Sequence, residues 1–244
     1  MNKIFTLTIL VFLIVSCNKE QLDVPEPILA STVTFMFQNV VDGKTIDFDG
    51  TVYTNESGQD YTINAWKYFV SNVGFYNNGV LVFKEKDSYH YINQSEESTL
   101  SFDVLGVPEG SYDEIRYSFG IDEENNNGTA TGGDIDPSTG MFWPMGGYRF
   151  SNFDGSNSGS GLAFHVGGNS NYVPLVFDSG IILEVKGGKN TLVHSMVNIN
   201  QMFKSPNQID FTVSSSLASE ESTKILAENI ANGMFMIHHI ENPE

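Results

Sequence analysis

A succession of short runs rich in β-branched and aromatic residues, each bounded by Gly, Asn, Asp, Ser or Pro, constrains this chain more than any other feature. The runs recur from Thr32–Phe37 and Trp66–Tyr76 through Leu162–Val166 and Leu192–Ile199 to Ile209–Val213. Such spacing reads as an all-β fold, an antiparallel β-sandwich or barrel with long end loops. Asn77-Asn78-Gly79 and Gly187-Gly188 fit tight turns, because Asn and Gly tolerate the positive φ that these require. One short C-terminal helix is expected over Glu220–Asn232. Ser219 can cap it, Glu220 and Glu221 suit the positive end of its dipole, and Gly233 ends it. Glu123–Gly140, Asp154–Gly161 and Gly167–Asn171 resist regular structure and are expected as loops. With 40% hydrophobic and 12% aromatic residues among 244, the chain can bury a core, and a single domain is expected over 31–244.

The N-terminus carries an address rather than a fold. Lys3, the apolar run Ile4–Val15 and Ser16 form a secretory signal pattern over 1–16, too short to span a bilayer of about 30 Å. Ile14-Val15-Ser16-Cys17 resembles the lipobox of bacterial lipoproteins, in which the Cys is acylated and becomes the new N-terminus. Residues 17–30, with Pro25 and Pro27, read as a tether. Acyl chains on Cys17 would hold the protein on a membrane without crossing it. The expected location is the bacterial cell envelope, facing the periplasm or the cell surface. Cys17 is the single cysteine, so no disulfide is expected.

Charge and motifs narrow the chemistry. The 12 Lys and Arg stand against 30 Asp and Glu, a formal net charge of −18. That excludes nucleic acid as the default partner, since phosphate neutralisation needs clustered cationic side chains. No Gly-x-Ser-x-Gly elbow, P-loop or dinucleotide fingerprint is present, and no Cys nucleophile remains once Cys17 is acylated, so an enzyme is not expected. Asp134-Ile135-Asp136, with Asn125-Asn126-Asn127 upstream, offers hard oxygen ligands for calcium but lacks EF-hand spacing, and turn formation explains it as well. Five histidines remain, at positions 90, 165, 194, 238 and 239. Period-two directions set His165 opposite Leu162, Phe164 and Val166, and His90 away from Tyr89 and Tyr91. His194 reads as an ordinary structural histidine, whereas His238 and His239, if extended, face opposite sides.

Five segments follow one another in order: Phe69-Val70-Ser71-Asn72-Val73, Gly106-Val107-Pro108-Glu109-Gly110-Ser111-Tyr112, Phe119-Gly120-Ile121-Asp122, Gly140-Met141-Phe142-Trp143-Pro144-Met145-Gly146-Gly147-Tyr148 and Phe164-His165-Val166-Gly167-Gly168. This succession resembles the MbnP-like copper-binding protein family, and the resemblance runs from about Val33 to the C-terminus. It implies an extracytoplasmic, largely β protein that handles copper rather than turning over a substrate. The family's site combines histidines with a tryptophan oxidised to kynurenine, and the implied partner is a di-haem cytochrome c peroxidase of the MbnH type. By this resemblance His165 matches the Phe/Tyr-His-x-Gly histidine, His90 a Ser-Tyr-His position, His239 a histidine of the closing motif, and Trp143 the first Trp of Gly-Met-x-Trp. Met145 stands where the family usually has a second Trp, so kynurenine cannot form there. The resemblance thus implies His90, His165 and His239 as metal ligands, with Trp143, Met141 and Met145 lining the site.

Ligand chemistry agrees with copper. Imidazole suits both of its oxidation states, and the thioethers of Met141 and Met145 are soft enough for Cu(I). Zinc competes for the same imidazoles. The copper reading predicts that His90 and His165 converge on one centre. A surface lipoprotein that binds a glycan or protein partner predicts exposed aromatics in a groove instead, and a calcium-stabilised protein predicts carboxylates converging within residues 123–136.

Overall fold

The computed structural model describes residues 31–128, 133–144 and 146–244. The signal pattern of residues 1–16, the tether 17–30 with Cys17, and Met145 lie outside the described residues. The chain is all-β with one short C-terminal helix, built mainly from two sheets set face to face. The organising element of the nine-stranded sheet is Asp60–Asn77, a strand of 18 residues. Ser151–Asn157 and Glu114–Phe119 pair along one of its edges, and Tyr89–Asn93 and Val80–Lys84 along the other. The five-stranded sheet is centred on Thr32–Val41, which is antiparallel to Ser101–Leu105 and parallel to Asn190–Asn198. The C-terminal strand Phe235–Glu241 closes that sheet's edge, antiparallel to Asn190–Asn198. The parallel pair departs from the antiparallel expectation, because its connection runs through the other sheet and leaves no local signal. Among the described residues no helix is long and apolar enough to cross a membrane.

Alternation along the strands explains the core. Val33, Phe35, Phe37 and Asn39 are buried, while Thr34, Met36 and Gln38 between them are not. The buried rings meet those of the facing sheet, Phe35 edge-on to Tyr117 at 6.0 Å between centroids and Phe37 to Tyr68 at 6.2 Å. Asn39 is the polar member of this layer. Its Oδ1 accepts from Trp66 Nε1 at 3.0 Å and from the Tyr68 hydroxyl at 3.1 Å, and its Nδ2 donates to Gln94 Oε1 at 2.8 Å. Each of those buried donors left without an acceptor would cost about 1–3 kcal/mol, so Asn39 ties the register of the two sheets together.

Local signals hold at the helix and the first turn. Helix Glu220–Ala231 starts with the Ser219 hydroxyl accepting from Ser222 N, and Gly233 follows with φ 97°. Asn78 and Gly79 take φ 50° and 74° in the hairpin that pairs Asn77 with Val80, as a type I′ turn requires. Gly187-Gly188 also turns, but it joins Leu183–Val185 to a strand of a different sheet. Three expectations fail. Ile209–Val213 is irregular, with Ile209 and Phe211 buried and Phe211 packed on Tyr61, Phe164 and Phe203. Asp154–Gly161 is not a loop, since Ser151–Asn157 and Ser160–Phe164 form a hairpin that turns at Ser158 and Gly159. Glu123–Gly140 is only partly a loop, since Glu123–Asn126 forms a short helical turn.

Candidate metal centre

Trp143 and His165 meet in one cavity of about 440 Å³, lined also by Tyr148, Arg149, Gly167 and Glu220. His165 comes from the end of Ser160–Phe164. Leu162, Phe164 and Val166 turn into the core, so the imidazole points to the outer face. Its backbone N–H donates to Leu217 O at 2.9 Å, and its Nε2 lies 2.8 Å from Asp154 Oδ1. Trp143 sits on a two-residue strand, Phe142–Trp143, paired with Gly147–Tyr148, and is 51% exposed. The Arg149 guanidinium lies over its ring, 5.3 Å from the centroid, a cation–π arrangement. The helix start forms the opposite wall. Glu220 accepts from Ser170 N at 2.8 Å, and that hydrogen bond holds its carboxyl below the usual range. Gly168, at φ 91°, has no room for a Cβ against the Glu220 side chain. Buried Asn171 ties the wall together by donating to Gly167 O and Glu220 O, both at 2.8 Å.

The other expected ligands lie elsewhere. His90 pairs with Val70 in register, and Trp66 with Phe153, which itself faces Phe164. Val70 and Trp66 share the face turned toward the second sheet, so His90 points inward and His165 outward, with two strands between them. His90 lies flat on Phe102, 3.5 Å between centroids, with Nε2 2.8 Å from Glu85 Oε2 and Nδ1 3.7 Å from Asp134 Oδ2. His239 is on the C-terminal strand of the other sheet, opposite His194. The structure does not bring His90, His165 and His239 together. Met141 is 2% exposed, packed in the core rather than lining the cavity. Among the described residues no group of three or more His, Cys, Asp or Glu side chains is placed to hold a metal ion.

What it does gather is a second histidine group that sequence reasoning divided. His194, His238 and His239 crowd together, with Glu241 Oε1 3.0 Å from His194 Nε2. Burial, then the charges of His194 and His239, push the His238 pKa down. The available signal was the outward alternation of His194 with Met196.

The Ser71-Asn72 and Gly120-Ile121-Asp122 motifs serve as a brace. Ser71 Oγ donates to Gly120 O at 2.7 Å, and Asn72 Nδ2 donates to Asp122 Oδ2 at 3.0 Å and to the Tyr172 hydroxyl at 2.9 Å. Tyr89 also donates to Asp122, which caps the short helix Glu123–Asn126 by accepting from Asn125 N. Burial pushes the Asp122 pKa up, but hydrogen bonds from Tyr89, Asn72 and Asn125 outweigh it and hold the carboxyl below its ordinary value. Asn126 links the brace to the Trp143 hairpin, accepting from Tyr148 N at 2.7 Å. A groove of about 1080 Å³ opens beside it, with Tyr76, Tyr89 and Tyr172 on its walls. The calcium expectation fares differently. Asp136 caps its own turn by accepting from Ser138 N, and Asp134 faces His90, so these two carboxylates do not converge.

Two facing sheets with a Trp- and His-lined pocket beside the helix define a β-sandwich. The family model for MbnP matches residues 30–225, and the chain belongs to the MbnP family. Among solved structures, MbnP from Methylosinus trichosporium shares the fold with a TM-score of 0.54 at 14% identity, over 87% of this chain and 98% of that one. No curated protein matches the chain in sequence.

Proposed function

We propose that this chain is an extracytoplasmic copper-binding protein, anchored through acylated Cys17 in the cell envelope, whose Trp143–His165 pocket takes the metal. The observation that carries the reading is that these two motif residues, distant in sequence, line one cavity. The donors that fit copper are the His165 imidazole and the Asp154 carboxylate beside it, with Glu220 across the pocket, and imidazole suits either oxidation state. Arg149 puts a positive charge on the same rim, so the set suits an exchangeable ion rather than a closed centre. His90 and His239 take no part in it. Half-exposed Trp143 is open to an oxidant delivered from outside, and a di-haem peroxidase of the MbnH type is the partner this reading implies.

The test is copper affinity of the full chain in detergent, measured by competition titration for wild type, His165→Ala and His90→Ala. His165→Ala is expected to lose about tenfold or more in affinity, on the scale seen for groups that support a metal, while His90→Ala keeps the wild-type value. Unchanged copper in His165→Ala rejects the reading. The tyrosine-walled groove favours a second reading, a surface lipoprotein that binds a glycan or protein partner. Under it, a Tyr89→Ala/Tyr172→Ala variant loses binding on a glycan array and keeps its copper affinity.

A further inference from the structure

We infer that the tyrosine-walled groove beside the Asn72–Asp122 brace is an oligosaccharide site, selective for a glycan whose single anionic group sits between Lys84 and Arg116 over Gly74. The inference deepens the second reading above and rests on it. It is separate from the copper reading, because the groove and the His165 pocket share no lining residue.

Register builds the cationic end. Asn72, Gly74 and Tyr76 of the long strand Asp60–Asn77 line the groove in turn, a run of about 13 Å. Gly74 pairs with Lys84 on one side and with Arg116 on the other, so both cationic side chains stand on the groove face with a bare glycine between them. A Cβ on Gly74 would stand 3.3 Å from both Leu81 Cδ1 and Tyr76 Cε2. Glycine inside a strand weakens it, and it marks places where a ligand comes close to the backbone. The Arg116 guanidinium lies on the Tyr76 ring, 4.0 Å from the centroid, and its Nε donates to Glu114 Oε1. Those contacts fix its plane on the Nε side, and the Nη pair is the edge that forks a carboxylate or a sulfate. Lys84 is exposed and forms no ion pair among the described residues.

The rest of the groove suits hydroxyl-rich rings. Tyr89 and Tyr172 stand beside Asn72 with their hydroxyls already engaged, Tyr89 donating to Asp122 and Tyr172 accepting from Asn72. Rings held this way offer a broad amphipathic wall that loses little entropy on binding. Leu81 is the one aliphatic side chain among the described residues that line the groove, so there is no apolar slot for a helix, and the floor is a sheet face rather than an edge to which an extended peptide could add as a strand. Charge sets the limit on the ligand. Asp122, Glu123 and Glu124 line the Asn72 end, where a further anionic group would meet like charges inside the screening length of about 8 Å. The glycan that fits is acidic at one sugar and neutral at the others.

The experiment applies the full chain in detergent to an array of neutral glycans, glycans with one uronate and glycans with one sulfate, beside an array of peptides. A duplicate glycan array is first treated with carbodiimide and borohydride, which turns a carboxylate into an alcohol and spares a sulfate. Wild type is expected to bind singly acidic glycans about tenfold more tightly than their neutral counterparts. Lys84→Gln/Arg116→Gln is expected to lose that preference with an unchanged circular dichroism spectrum, and Tyr89→Ala/Tyr172→Ala to lose all glycans. Signal that the reduction abolishes assigns the anionic group as a carboxylate, and signal that survives it assigns a sulfate; both uphold the site. Equal binding of acidic and neutral glycans, unmoved by the charge variant, overturns this inference and leaves the second reading standing. A wild type that retains no glycan overturns both, and peptides retained in place of glycans overturn the sugar assignment. If the double charge variant fails to fold, Lys84→Gln at its exposed position is read on the same arrays, and an unchanged preference for acidic glycans overturns the inference.

Discussion

His90 and His165 each hold Nε2 2.8 Å from a carboxylate oxygen, and both lie on the nine-stranded sheet. Everything else around them differs. His90 is on the inner face, stacked on Phe102, and its partner Glu85 also accepts from the Ser88 hydroxyl, which in turn accepts from Val73 N. His90 lines a smaller cavity of about 280 Å³ with Ser101 and Asp134. His165 is on the outer face, where its ring opens on a cavity with Trp143 and Glu220. Both histidine side chains are largely covered, so what separates the two pairs is the sheet face and the neighbours around each, and a short motif does not record which face it occupies.

The largest effect expected is on what holds the two faces apart. Asn39→Leu keeps the branched shape but strips the acceptor from Trp66 and Tyr68, and urea unfolding is expected to show a loss of about 2–5 kcal/mol. A loss below about 1 kcal/mol would mean that the sheets register without this amide. Next, His90→Ala is expected to lower stability by about 1–3 kcal/mol, since it removes the ring stacked on Phe102 and one of the two partners of Glu85, more than His165→Ala does. The reverse order, read by the same unfolding curves, would invert the comparison. Ser219→Ala removes the cap of the helix that walls the outer pocket and is expected to cost about 1 kcal/mol, with copper affinity falling in step if that wall positions Glu220.

The smallest effect is a matter of pH. The folded Asp122 carboxyl titrates below its ordinary value, so its contribution to stability is complete above about pH 4. That contribution disappears as pH falls through the lower folded value, because the unfolded chain binds the proton first. Thermal melts are expected to show wild type losing Tm more steeply than Asp122→Asn below about pH 4; parallel curves would assign acid sensitivity to other carboxylates.

Much of the scaffold was legible. The helix was readable from Ser219, the two leading glutamates and Gly233, because caps and dipoles act over a few residues. The inward face of Thr32–Val41 was readable from alternation. Ile209–Val213 misled because burial at a sheet end selects the same apolar residues as a strand does. Ser151–Asn157 was only half seen because its outer half is Asp, Gly, Ser and Asn, residues poor in strand propensity that pairing with Asp60–Asn77 overrides. The candidate site was legible in its parts and not in its assembly. Trp143 and His165 were readable as partners through the family motifs, but the face of His90 depends on a pairing with Val70 that the sequence does not announce. The His194 group stayed hidden because a bulge breaks the period on which its directions were read.

The parallel pairing of the first strand has a consequence in time. Thr32 finds its partner at Asn190, and the outer edge of that sheet waits for Phe235–Glu241. Contacts so far apart along the chain are slow to form. A polypeptide that emerges N-terminus first must therefore carry its opening strand unpaired on that side until nearly all the rest has arrived. The long Asp60–Asn77 strand and its hairpin with Val80–Lys84 can assemble from near neighbours much earlier. One sheet of this sandwich can grow as the chain appears, and the other closes only when the chain is complete.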